Sequence, residues 1–95
     1  MSLELDVQRG ELARQVIENT VYAEAYTLLE TEITRAWRES RDKDEREELH
    51  RALRSLSKVR TVLESTMKSG KVAADKLRQD RSRVQQIGDY FKRAS

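Results

Sequence analysis

The sequence has no cysteine and no proline, and it has only three glycines and five aromatic residues in 95 positions. Without cysteine there is neither a disulfide framework nor a thiolate metal site. Sheet proteins need turn residues at intervals of about 8–12 positions, so the scarcity of glycine and proline argues against β-structure. No segment approaches the roughly 18 apolar residues of a membrane-spanning helix. These absences predict an all-α chain without a membrane segment.

Catalytic and metal-binding patterns are also missing. The only histidine, His50, has no visible partner, whereas nucleophilic catalysis needs a base beside a serine, threonine or cysteine. Catalytic zinc usually needs three protein ligands, and the acidic run from Asp42 to Glu48 lacks the glycine and the ligand order of an EF-hand. The three glycines are isolated from one another, so no phosphate-binding loop is present. The sequence predicts a non-enzymatic protein with no catalytic residue, metal site or cofactor.

The composition is dominated by charge. Charged residues make up 38% of the chain and hydrophobic residues 37%, against a usual charged share of about 25%. A chain of this length forms one domain, because a second core would need roughly 50 residues of its own. Such a small domain buries only about 60% of its unfolded surface, so partner chains are a natural source of further burial. We therefore expect an oligomer or an obligate binder.

The net charge of +2 conceals two oppositely charged halves. Residues 1–48 hold 13 acidic and 7 basic side chains, a net charge of −6, and residues 49–95 hold 4 acidic and 12 basic ones, a net charge of +8. In one interpretation the halves attract each other within the chain or across subunits. In the other, the basic half meets an anionic partner.

Four helical segments are predicted from the apolar periodicity and the cap residues. Asn19 and Thr20 form a capping pair that separates two helices, and the polar stretch from Ser40 to Asp44 predicts a tight connection. Ser69-Gly70 has the form of a helix C-terminus. The prediction is an antiparallel helical hairpin over residues 20–69, preceded by a loose segment (1–8) and a short helix from near Gly10, and followed by a C-terminal helix (72–93).

Large apolar residues at helical spacing are the candidate contacts. Tyr22, Tyr26 and Trp37 lie on one face of the second helix, where they are expected to serve both as core and as interface. Arg60 falls on the apolar seam of the third helix, where it either extends to solvent or pairs with a carboxylate such as Glu32. The C-terminal helix adds candidate interface residues at heptad-like spacing: Leu77, Val84, Ile87 and Phe91.

The last third of the chain carries a set of basic residues that could neutralise phosphates. Lys76, Arg78, Arg81 and Arg83 are the candidate phosphate-binding residues. No helix-turn-helix signature accompanies them, and the five aromatic residues form no evident base-stacking platform. Nucleic-acid binding is therefore the alternative to a protein-interaction role.

Several short motifs together resemble a known set of proteins. They are Arg9-Gly10, Ala36-Trp37, Arg41-Asp42 with Asp44, Arg46, Glu47 and Leu49, and Gly70-Lys71 with Ala73, which together span about two-thirds of the chain. In this order they resemble small helical proteins encoded in the head and packaging gene region of tailed bacteriophages. That set usually has a proline near the start of the second helix, where this chain has Asn19-Thr20. The resemblance implies a phage setting and a non-enzymatic role, and no functional residue carries over from it.

The leading hypothesis is an interaction module that self-associates and docks onto another virion or packaging protein. A nucleic-acid-binding packaging accessory resembling a small terminase subunit is the first alternative. An inhibitor of a host defence protein or of its nucleotide signal is the second. Glu4 and Asp6 lie where a signal peptide would carry positive charge, so we expect the bacterial cytoplasm or the virion as the location.

Overall fold

The described part of the chain folds into three α-helices joined by very short connections. The structure, a computed structural model, describes residues 2–94, with the backbone alone for Ala94. The helices are α1 (Leu3–Glu18), α2 (Thr20–Glu39) and α3 (Lys43–Ala94), and these residues include no strand. The prediction of an all-α chain is confirmed.

Helix α1 begins well before the predicted position. Ser2 is its N-cap, and the Ser2 hydroxyl accepts a hydrogen bond of 3.1 Å from the Leu5 amide. Glu4 and Asp6 place negative charge in the first turn, where the helix dipole favours it. The prediction of a loose segment over residues 1–8 is therefore wrong for residues 3–8, and Met1 lies outside the described residues.

A single residue separates α1 from α2. Asn19 has extended backbone angles (φ −69°, ψ 124°), and its side-chain oxygen accepts a hydrogen bond of 2.9 Å from the Tyr22 amide. Its own amide donates to the carbonyl of Val16 at 3.1 Å. Asn19 thus ends one helix and caps the next, as an N-cap asparagine does, and the predicted helix start at Thr20 is confirmed.

The connection between α2 and α3 is held by cap residues. The Asp42 carboxylate accepts a hydrogen bond of 3.0 Å from the Asp44 amide, and the Ser40 hydroxyl accepts one of 3.3 Å from the Asp42 amide. Asp44 and Glu45 add negative charge to the first turn of α3. The predicted tight connection is present, with α3 beginning at Lys43.

Helix α3 continues without interruption for 52 residues, through Gly70. The predicted helix end at Ser69-Gly70 and the separate helix over residues 72–93 are therefore wrong, and the predicted hairpin of residues 20–69 does not end at a helix boundary. No described glycine has a positive φ, so Gly70 does not terminate a helix. Its small size serves packing instead, because a Cβ built on Gly70 would lie 2.8 Å from the Cα of Gly10.

The two glycines mark the closest approach of α1 and α3. A Cβ on Gly10 would lie 2.7 Å from the Cα of Gly70 and 3.2 Å from the carbonyl oxygen of Thr66. The contact is nearly symmetric, since a Cβ on Gly70 would lie 3.1 Å from the carbonyl oxygen of Asp6. Beside the glycines, the small side chains of Ala13 and Ala73 are the most deeply buried apolar side chains of the described residues, at 4% and 2% exposure.

Residues later in α1 and α2 contact residues earlier in α3. Gly10 meets Gly70, Tyr26 meets Arg60 and Trp37 meets Arg46, so α1 and α2 lie antiparallel to α3. The N-terminal end of α1 reaches the region of Ala73 and Lys76. We call residues 78–93 of α3 the tail, and every one of them is exposed.

The molecule is long and has little core. Its dimensions are 81 × 24 × 16 Å and its radius of gyration is 22.1 Å, whereas a compact domain of this length has a radius of gyration of about 12 Å. Among the described residues only Ala13, Tyr26 and Ala73 are buried hydrophobic side chains. Two layers of helix cannot enclose a larger interior.

Replacement of Gly10 by alanine tests the close crossing. The added Cβ would strike the backbone of α3, so Gly10→Ala should lower the free energy of unfolding by about 1–3 kcal/mol despite the better helix propensity of alanine. Gly88→Ala is the matched control, because a Cβ there meets nothing within 4 Å in the same chain; at chain concentrations low enough to give the monomer it should raise stability by up to about 1 kcal/mol. Urea unfolding followed by circular dichroism at a fixed chain concentration measures both. A Gly10→Ala variant as stable as Gly88→Ala would contradict the crossing.

Candidate interaction surface

Two tyrosines and an arginine form the contact between α2 and the middle of α3. Tyr26 is buried at 8% exposure, its ring centroid is 6.1 Å from that of Tyr22, and the Arg60 guanidinium lies 5.5 Å from the Tyr26 centroid. Arg60 donates a hydrogen bond of 3.0 Å to Glu64 on its own helix, which raises the pKa of Arg60. Arg60 therefore pairs with a carboxylate of its own helix, and the suggested partner Glu32 is wrong.

The second aromatic contact secures the end of α2. The Arg46 guanidinium lies 4.5 Å from the Trp37 ring centroid and donates hydrogen bonds to the carbonyl oxygens of Trp37 (2.9 Å) and Ser40 (3.1 Å). These carbonyls belong to the C-terminal end of α2, where a cation compensates the negative end of the helix dipole. Arg46 thus joins α3 to the last turn of α2.

A seven-residue ladder runs along α3 and continues into the tail. Its members are every seventh residue: Leu49, Leu56, Leu63, Gly70, Leu77, Val84 and Phe91. The first five are buried or half-buried, while Val84 is 70% and Phe91 66% exposed. Ile87 is exposed beside them, and the rings of Tyr90 and Phe91 touch edge to face at 5.8 Å. The apolar seam therefore extends about two heptads beyond the residues that cover it.

Both α1 and α2 also expose apolar residues that face away from α3. Leu12 and Val16 lie four residues apart on one side of α1, and Val21 and Leu28 lie seven apart on one side of α2. Residues that contact α3, such as Gly10 and Tyr26, occupy a different side of each helix. The α1–α2 pair thus has an inner face against α3 and an outer apolar face in solvent.

The four predicted phosphate-binding residues do not form a single site. Lys76 and Arg83 are one heptad apart on one side of α3, whereas Arg78 and Arg81 are three residues apart and lie on another side. Arg78 is also paired with Asp75. All four are exposed, but one phosphate chain cannot follow both sides of the helix at once.

A groove beside the α2–α3 connection collects basic residues that sequence reasoning missed. We call it the turn groove; it has a volume of about 630 Å³. Its lining is Trp37, Arg41, Lys43, Arg46, Glu47, His50, Arg51 and Arg54. The α3 members occur at positions 43, 46, 47, 50, 51 and 54, which lie on one side of a helix. That spacing is present in the sequence, but the acidic residues around it hide the basic stripe when charges are counted along the chain.

No protein-family model matches the chain, and neither a curated protein nor a solved structure matches it. None of the helices, as far as residues 2–94 describe them, has the length and apolar character needed to cross a membrane. The function must be inferred from the surfaces of the chain itself.

Replacement of Arg46 by methionine tests its role at the end of α2. Methionine keeps an apolar stem against Trp37 but leaves the carbonyls of Trp37 and Ser40 without their charged donor, so we expect a loss of about 1–2 kcal/mol in the free energy of unfolding. Arg51→Met removes the same charge from a position whose side chain forms no ion pair and should change stability by less than about 0.5 kcal/mol. Thermal unfolding by circular dichroism compares the two. Equal stability of both variants would rule out the capping role.

Proposed function

We propose that the chain is a non-enzymatic helical interaction module that self-associates. The supporting observation is the amount of surface that one copy leaves in solvent. The chain exposes 8027 Å², whereas a compact monomer of 11.1 kDa exposes about 5,700 Å², an excess of about 2,400 Å². A stable interface buries about 800 Å² on each partner. The excess is therefore large enough for at least one complete interface per copy.

A second copy is the partner that best fits the exposed seam. The ladder of α3 is covered as far as Leu77 by α2 and then α1 of the same chain, and it is open at Val84 and Phe91. Apolar residues that continue at heptad spacing along an exposed helix are typical of a surface that packs against another helix. The outer apolar face of the α1–α2 pair in a second copy offers such a helix.

Charge favours the same arrangement. The tail holds five basic and two acidic residues, a net charge of +3, and residues 3–39 hold eight acidic and four basic ones, a net charge of −4. Tail against tail would bring like charges together, while tail against the α1–α2 pair brings opposite charges together. If each copy places its tail on the other, the contact is made twice around a two-fold axis and closes as a dimer.

The setting of this module is proposed from the phage resemblance alone. On that basis the oligomer docks onto another virion or packaging protein. Tyr22, Tyr26 and Trp37 are largely committed to α3 within the chain, and Leu77 is half-buried. The contacts available for a partner are therefore Val84, Ile87 and Phe91, together with the outer face of the α1–α2 pair.

Size-exclusion chromatography with light scattering tests self-association. The wild-type chain should elute with a mass of at least two copies of 11.1 kDa. Val84→Asp with Phe91→Asp places charge on the seam and should give the monomer mass. Ser82→Asp with Gln86→Asp adds the same charge to the opposite side of the tail and should leave the oligomer intact.

Two results would refute the proposal. One is a wild-type chain that remains a folded monomer at concentrations up to about 1 mM, since an interface of this size should be much tighter. The other is equal loss of mass in both pairs of variants, which would assign the effect to charge rather than to the seam.

A further inference from the structure

The lining of the turn groove carries more positive than negative charge. Five cationic side chains and one carboxylate, Glu47, line it. Arg46 is engaged by the Trp37 ring and two carbonyl oxygens. Among the described residues, Arg41, Lys43, Arg51 and Arg54 form no ion pair with any carboxylate. The groove is thus basic although it lies within and beside the acidic half of the chain.

This absence of pairing is notable because carboxylates are close in sequence. Glu47 is four residues from both Lys43 and Arg51, the spacing at which helical ion pairs form, yet no such pair is recorded. Four unpaired cations on the wall of one groove repel one another, and a bound anion would relieve that repulsion.

The dimensions and chemistry of the groove define the class of ligand. The groove is open, since only Trp37 and Arg46 of its lining are half-buried, and its volume of about 630 Å³ leaves room for a small molecule. Arginine presents a planar fork of donors that matches phosphate oxygens, and lysine adds a mobile point charge. Trp37 supplies the one aromatic wall. Several cations beside one ring suit a small organic molecule that carries more than one phosphate.

We propose that the turn groove binds a small polyphosphate ligand of nucleotide size, with Arg41, Lys43, Arg51 and Arg54 contacting the phosphates and Trp37 lining the organic part. This site is separate from the tail seam and does not depend on self-association. It also differs from the basic residues between Lys76 and Arg83, which lie on two sides of α3.

The position of Trp37 makes the site directly observable, because it is the only tryptophan in the chain. Sodium triphosphate and ATP are titrated separately into the full chain while tryptophan fluorescence is recorded with excitation at about 295 nm, and calorimetry follows the same titrations. We expect saturable binding that weakens between about 50 and 200 mM salt. Equal affinities would assign recognition to the phosphates, and tighter binding of ATP would add a contribution of the ring; both support the site.

Matched pairs of variants distinguish a localised binding site from a general electrostatic attraction between the chain and the ligand. Arg51→Ser with Arg54→Ser should weaken binding by at least about tenfold. Arg81→Ser with Arg83→Ser makes the same change in net charge in the tail and should weaken it by less than about twofold. All four positions are exposed, and circular dichroism verifies that each variant remains helical.

Four results would overturn the proposal. The first is no saturable binding of either probe by fluorescence or calorimetry up to about 5 mM, and the second is equal weakening of ligand binding in the two pairs of variants. The third is tighter binding of hexaglutamate than of triphosphate, which would make the groove a site for an acidic peptide. The fourth is tighter retention of a short DNA duplex through the same arginines, which would make it a nucleic-acid site.

Discussion

The close approach of α1 to α3 at Gly10 and Gly70 is the contact on which the rest of the structure depends. With no side chain between them, the two backbones come so near that a Cβ on either glycine would strike the other backbone. This contact sets the register of α1 on α3. Because α1 begins only seven residues before Gly10, its cover ends near Leu77, and the seam beyond it is exposed at Val84 and Phe91.

The same geometry leaves the chain short of interior. Buried side chains at the crossing are alanines, which contribute little apolar area, and the larger side chains of the seam are only half-covered by a two-helix layer. Exposed ion pairs such as Arg14 with Glu11 and Glu18 contribute little to stability in water, although the hydrogen bond from Arg14 lowers the pKa of Glu11. Helix propensity alone is a weak support for a polar segment such as the tail. A second copy would add the missing third and fourth layers.

The sequence was sufficient to predict features set by neighbouring residues, and it was insufficient for features set by contacts between distant parts of the chain. The Asn19 cap and the polar connection after Glu39 act on neighbouring backbone groups, and both were predicted. The prediction of a helix end at Gly70 was wrong because a glycine after an apolar run is compatible both with a helix end and with a close helix crossing. Only the position of Gly10 in space decides between them.

The candidate sites show the same division. The heptad spacing of Leu77, Val84 and Phe91 was visible in the sequence, but their exposure depends on where α1 ends, which the crossing determines. The turn groove was not predicted because its lining comes from the end of α2 and from one side of α3. A net charge summed over each half of the chain does not reveal such a local group of basic residues. Its basic stripe becomes apparent only when positions 43 to 54 are placed around a helix.

The central claim is that the tail is completed by another copy of the chain. Amide hydrogen exchange of residues 78–93 at a series of protein concentrations tests it most directly. If a second copy covers the seam, protection of these amides should increase with concentration, while protection around Gly10 and Gly70 should change little. Protection of the tail that is the same in dilute and concentrated samples would contradict the account.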